Sequence, residues 1–356
     1  MIIPTEPIGS IPRTAELLSA SPADFARAAH QALRDTIRRF EQTGSPVITD
    51  GEQTKPSFAT YPLDGLSNLA PDGVVIPFAD GHTRRLPRLT AGPFRYAVHA
   101  STYLAAAKRL TELPIKQAVI SASALSLLYP SDGIPGYPRE TFLSDLVKEA
   151  ATDIRECLEL GAHSVQIDFT EARLSLKLDP SGALLEGFVA LNNQVLDSLT
   201  PDQRHSVGVH TCPGGDRDST HSADVDYAAL LPLLFRLRAG HFYVQLASER
   251  NPERVLRIIR QLLRPDQRVF VGVTDPIARE VETPEMVRDR VLRAAHHLPV
   301  SQLGSTDDCG FAPFADDVST SRDIAFAKIR ARVEGTAMAA DELTRSTRTY
   351  RGGSSL

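Results

Sequence analysis

Eight short runs of apolar, largely β-branched residues alternate with long amphipathic stretches in this chain, and that alternation leaves few folds open. The runs are Ile2–Thr5, Pro46–Thr49, Gln117–Ser121, Ser164–Asp168, Ser206–His210, Phe242–Leu246, Val269–Val273 and Ser301–Gly304. Amphipathic helical patterns fall between most of them, at Pro22–Gln42, Arg139–Leu160, Leu184–Leu199, Ala223–Leu237, Pro252–Leu263 and Pro284–His297, with a last one over Ser319–Leu343. Strands that are apolar throughout need cover on both faces, and strands joined by helices run parallel. Eight such units predict a closed (β/α)8 TIM barrel, a fold that accommodates 356 residues as one domain. No Gly-x-Gly-x-x-Gly turn follows any run, which speaks against a dinucleotide-binding sheet.

Two stretches interrupt the alternation. Residues 59–98, rich in Gly, Pro and short alternating pairs such as Val74-Val75-Ile76 and Phe94-Arg95-Tyr96, predict a β-hairpin excursion after the second strand. Residues 170–183 read as a polar loop after the fourth strand. The barrel is expected to take residues 1–344, and the basic, Gly/Ser-rich residues 345–356 to form a flexible tail. A net charge of −5 argues against nucleic acid or an anionic membrane as partner. No apolar run is long enough to span a bilayer, and the first residues, MIIPTEPIGSIPRT, show no secretory leader. Three cysteines do not make a disulfide framework, so a reducing, cytoplasmic setting is expected. Cys157, in a helical pattern, reads as a packing residue.

The other two cysteines sit where chemistry is expected. In a parallel barrel the functional groups gather where strands end and loops begin. The ends of the eight runs carry Ile8-Gly9-Ser10, Asp50-Gly51-Glu52, Ser121 and Ser123, Asp168, His210 and Cys212, Gln245 and Glu249, Asp275, and Asp307-Asp308-Cys309. His210 and Cys212 are two apart, on one face of a strand, and Cys309 arrives from the eighth. A His-x-Cys plus a distant Cys can hold Zn²⁺ with one position open. Glu249 is the nearest acid at the sixth strand end and a candidate fourth ligand. Two thiolates make such a zinc better suited to activating a substrate thiol than to acidifying water. Glu52 and Asp168, facing each other in the mouth, could grip a substrate ammonium or act as a general acid and base.

In combination these segments resemble the C-terminal catalytic barrel of cobalamin-independent methionine synthase. The resemblance is carried, in order, by Ile8-Gly9-Ser10-Ile11-Pro12, Asp50-Gly51-Glu52, Gln166-Ile167-Asp168, His210-Thr211-Cys212 and Asp307-Asp308-Cys309-Gly310. It implies a zinc enzyme that passes a methyl group from 5-methyltetrahydrofolate to homocysteine, giving methionine. By position it implies His210, Cys212 and Cys309 as zinc ligands. The amino-acid end of the thiol falls to the segment of Ile8 and Ser10, with Glu52 and Asp168. The chain departs from the family in three ways. It lacks the long N-terminal half, it has no tryptophan, and Ile277 stands where a proton-donating His is expected. Ala247, rather than Glu249, falls at the family's Glu position. A methylated corrinoid is therefore an alternative donor, and a coenzyme-M-type transferase an alternative enzyme. The other readings are a zinc hydrolase, a structural zinc protein and a metal-free barrel with buried cysteines.

Overall fold

The computed structural model describes residues 2–352, with side chains through Ser346. Six parallel strands form its centre, in the order Leu303–Asp307, Arg268–Thr274, His241–Val244, Val207–Thr211, Ser164–Asp168 and Lys116–Ile120. Each lies within two or three residues of an expected run. The first and second runs are not full strands. Thr5 pairs with Ser305 and Ile48 with Ile115, each through a single parallel bridge. The local reason is proline: Pro4, Pro7 and Pro46 offer no N–H to a ladder. The two segments then meet each other, through Ile11 N to Gly51 O at 3.0 Å and Thr49 Oγ1 to Gly9 O at 2.8 Å. These contacts close the ring of eight and confirm the barrel.

The expected helices form, though Ala223–Leu237 shortens to Tyr227–Leu234. Phe25–Gln42 buries Ala29, Leu33, Ile37 and Phe40, and Pro252–Leu262 buries Val255, Leu256 and Ile259. Asn251 caps the latter by accepting from Arg254 N, and Pro252 sits at its first turn. The excursion is two small antiparallel pairs, Leu69–Ala70 with Arg88–Leu89 and Val75–Pro77 with Thr83–Arg85. Phe94-Arg95-Tyr96 takes no part in them.

One expected loop is a helix. Glu171–Leu178 folds within the 170–183 stretch, with Ala172 and Leu174 buried beside Glu171, Arg173 and Ser175. Three polar residues on the buried face conceal the period, because each has a partner only in the tertiary structure. The final helix runs Arg322–Gly352, past the expected end at Leu343. Residues 353–356 of the expected tail lie outside the described residues. Among the described residues no helix is long and apolar enough to cross a membrane. Cys157 packs in the main core.

The closing seam is polar and buried. Arg332, from the last helix, pairs with Asp307 through Nε at 3.0 Å and donates through Nη1 to Thr5 Oγ1 at 2.6 Å. Ser305 Oγ donates to Thr5 Oγ1 at 2.8 Å. Removing one member of a buried pair leaves the other charge unpaired, at a cost of about 3–5 kcal/mol. Arg332→Met is accordingly expected to lower stability by about that amount, read by chemical denaturation.

Candidate active site

Parallel register sets the site. Asp168 and His210 are neighbours across their strand pair, as are Ile120 and Asp168. Thr211 faces Val244 on the next strand, and two strands further round Asp307 leads into Cys309. One ligand atom from each of His210, Cys212 and Cys309 comes within 4.8 Å of the other two, all three residues buried. The sulfur atoms of Cys212 and Cys309 are 2.9 Å apart. Neither ring nitrogen of His210 has a hydrogen-bond partner. A buried imidazole with both nitrogens free, beside two free thiols, fits the soft, borderline donor set of a zinc site. The Cys212 thiol and burial together push the Cys309 thiol well up, so in the absence of a cation it is protonated. Glu249 is not part of this cluster.

What holds Cys309 is its neighbour. Asp308 Oδ1 accepts from Leu246 N and Ala247 N, both at 2.8 Å, and Oδ2 accepts from Ser248 N and Ser248 Oγ, both at 2.7 Å. This carboxylate binds the end of the sixth strand, and the turn leading to Glu249, to the end of the eighth. It can approach only because residue 272 is glycine: a Cβ there would lie 1.8 Å from Asp308 Oδ1. Burial, reinforced by Asp275, pushes the Asp308 carboxyl up to about 6 against those hydrogen bonds.

His210 and Cys309 open onto a cleft of about 590 Å³, lined also by Ile8, Ser10, Glu52 and Asp168. Of the eight residues singled out from sequence, six line this cleft; Cys212 and Glu249 do not. Ser10 is tied to the loop after Cys309: its carbonyl accepts from Phe311 N at 2.9 Å and its hydroxyl from Ala312 N at 3.2 Å. Gln166 Nε2 donates to Asp168 Oδ1 at 2.7 Å and to Ile8 O at 3.1 Å, fixing both. Glu52 sits in a tight turn, with Gly51 at φ 65° and Glu52 itself at φ 54°, closed by Asp50 Oδ1 accepting from Glu52 N at 3.0 Å. Burial raises both the Glu52 and the Asp168 carboxyl; Lys55 opposes the shift at Glu52 and His210 opposes it at Asp168. Arg173 pairs with neither acid and donates instead to Gln245 Oε1 at 2.9 Å and to Val225 O.

Several contributors are invisible in the motifs. Lys55, fully buried, donates to Glu52 Oε1 at 3.1 Å and to Ala118 O at 2.9 Å, leaving Glu52 Oε2 without a partner. Its spacing three residues after Glu52 was the one available signal. The hairpin Val75–Pro77 with Thr83–Arg85 roofs the cleft with Ile76, Phe78 and Arg84. Asp216 latches it, accepting from Arg84 Nε at 2.5 Å and contacting His82 Nε2 at 2.9 Å. Arg84 also lies 4.0 Å over the Phe314 ring. His221 reaches the cleft as well, held neutral by burial and by Lys177, with its value down to about 4.

Fold and site together define a (β/α)8 barrel with an imidazole–dithiol cluster at the C-terminal ends of its strands. No family model matches the chain. Its relatives include proteins named as methionine synthases and as 5-methyltetrahydropteroyltriglutamate–homocysteine methyltransferases. The chain is 23% identical over 319 residues to the 5-methyltetrahydropteroyltriglutamate–homocysteine methyltransferase of Herpetosiphon aurantiacus, covering 87% of this chain and 40% of that one. It thus spans about 40% of the length of the first curated relatives it matches. It is 20% identical to the methionine synthase of Saccharolobus solfataricus, over 97% of both chains. Among solved structures it superposes on a B12-independent methionine synthase from Shewanella sp. W3-18-1 in complex with selenomethionine, with a TM-score of 0.76, 19% identity, and coverage of 97% of this chain and 100% of that one.

Asp308→Asn tests the anchor. Loss of the charged acceptor, worth about 1.5–3 kcal/mol per bond, is expected to speed amide exchange at Leu246, Ala247 and Ser248 roughly a hundredfold, read by hydrogen exchange.

Proposed function

We propose that this chain is a zinc-dependent thiol methyltransferase that converts homocysteine to methionine. 5-Methyltetrahydrofolate is the favoured donor and a methylated corrinoid the alternative. The observation that carries the reading is the opening of one cleft onto both the His210–Cys212–Cys309 cluster and the Glu52–Asp168 pair. The names of the relatives support the same reaction class. Zn²⁺ held by the cluster would supply the positive charge that keeps a substrate sulfur as thiolate near neutral pH.

The chain's own residues do the rest. Glu52 Oε2, unpartnered, and Asp168, fixed by Gln166, offer carboxylate oxygens to an ammonium. Lys55 and Arg13 lie nearest Glu52 and Asp50, and Lys116 acts on Asp168, yet none of them takes Glu52 Oε2. The Ile8–Ser10 segment, held by Gln166 and the 311–312 backbone, walls the remaining side. Holding acceptor and donor together lowers the entropic part of the barrier. The hairpin roof with Phe78, Phe58 and Phe314 restricts water at the reacting centre.

Two measurements test this. Elemental analysis of the wild-type protein is expected to find one zinc per chain, and Cys309→Ser to lose most of it; full retention would overturn the metal assignment. Asp168→Asn is expected to weaken homocysteine binding by roughly ten- to a hundredfold with zinc content unchanged, since ~1.4 kcal/mol is a factor of ten. A thiol without an amino group, such as 3-mercaptopropionate, should bind poorly to both. Equal wild-type affinity for the two thiols would remove the ammonium role and favour a coenzyme-M-type transferase.

A further inference from the structure

A second chamber, of about 520 Å³, lies beside the cleft. The two share the walls formed by Phe58, Ile76, Arg84, Thr170, His221 and Phe314, so one molecule can occupy the chamber and reach into the cleft. Its other walls are mostly apolar, among them Ile120, Leu127 and Leu174. The polar residues there are Thr60, Arg85 and Glu171, and of these only Glu171 is buried, at 5% exposure.

Glu171 is held in one orientation. Ser121 Oγ donates to its Oε1 at 2.6 Å, Ser123 Oγ donates to the same oxygen, and Asn192 Nδ2 donates to Ser123 Oγ at 2.7 Å. Oε1 therefore accepts two hydroxyl protons. Oε2 has no hydrogen-bond partner. When this carboxyl is neutral, its proton belongs on Oε2, the oxygen the serines leave unpaired. A mostly apolar chamber with one carboxylic acid in its wall suits a flat nitrogen heterocycle.

Building on the methyl-transfer reading above, we propose that the second chamber holds the carrier of the methyl donor and that Glu171 is the acid that protonates its departing nitrogen. In the step, the substrate sulfur forms a bond to the methyl carbon as the carbon–nitrogen bond breaks. The electron pair stays on the nitrogen, which takes the proton from Glu171 Oε2. The carboxylate left behind is reprotonated by solvent, and the proton lost by the thiol goes to solvent, so the sum is S–H plus N–CH₃ giving S–CH₃ plus N–H. The nitrogen is a poor leaving group unprotonated, so an acid at this position contributes of order 10²–10⁴-fold.

The electrostatics agree with an acid that works near neutrality. Burial raises the Glu171 carboxyl to about 7, with the two serines opposing and Asp168 adding to the rise. The other charged or titratable groups in the chamber wall are Arg84, Arg85 and His221. Arg84 is paired with Asp216 and Asp316, and His221 is neutral. A raised carboxyl is protonated below its shifted value, so nitrogen-donor activity falls as pH rises through about 7.

The test uses the zinc-loaded 356-residue chain with homocysteine and, separately, 5-methyltetrahydrofolate and methylcobalamin. Glu171→Gln keeps an acceptor for the serines and removes the proton. It is expected to lower kcat with methyltetrahydrofolate by about a hundredfold or more, to abolish the fall in rate above pH 7, and to leave homocysteine binding unchanged by direct titration. An unchanged rate and pH profile would overturn the proposal. So would a wild type that methylates homocysteine from methylcobalamin alone, with Glu171→Gln equally fast, because a cobalt leaving group takes no proton; thiol methylation itself would then stand. A wild type that uses neither donor removes the methyl-transfer reading and the proposal with it.

Discussion

The ring of strands closes where two proline-marked segments, too short to be strands, meet through Ile11 N to Gly51 O and Thr49 Oγ1 to Gly9 O. Everything at the mouth depends on that closure. It brings Ile8 and Ser10 opposite Gln166, puts Ser10 against the loop after Cys309, and turns Glu52 into the same cleft as Asp168. The Arg332–Asp307–Thr5 contacts secure the seam from inside. A cation buried there is a demanding way to join two ends of a sheet, because every member must be present for any to be tolerated.

Cys212 and Cys309 are 97 residues apart in the chain, with sulfurs 2.9 Å apart in space. Parallel register alone brings their strands to the same level; Asp308 supplies the rest by binding three consecutive amides of the intervening strand end. The cluster is thus braced by backbone hydrogen bonds to the carboxylate next to Cys309. Backbone amides move less than side chains, and a soft-donor site gains from that rigidity.

The carboxyl groups around the cleft divide by their surroundings. Glu52 is buried but compensated by Lys55, Asp168 is buried beside His210, and Glu171 is buried with only hydroxyls and an amide behind it. Burial raises all three carboxyls; Lys55 opposes the rise at Glu52, while at Glu171 only hydrogen bonds oppose it. The three groups line two adjoining chambers.

Much of this was legible in the chain. The alternation of apolar runs and helices determined the barrel, because a strand without polar residues has nowhere to go but a sheet covered on both faces. The polar residues at the ends of those runs, including His210, Cys212 and Cys309, determined the mouth and its candidate metal ligands. Other features were decided only by tertiary structure. Glu171–Leu178 read as a loop because Glu171 and Arg173 find their partners, Ser121, Ser123 and Gln245, on other elements. Glu249 sits at the right strand end by count, but the turn that carries it is fixed by Asp308, and its carboxylate is not in the cluster. Lys55 behind Glu52 and the hairpin latched on Asp216 depend on pairings between segments distant in sequence or on a turn whose fold no period announces. Local pattern determines which face of an element is apolar; which buried charge meets which partner is settled only when those elements pack.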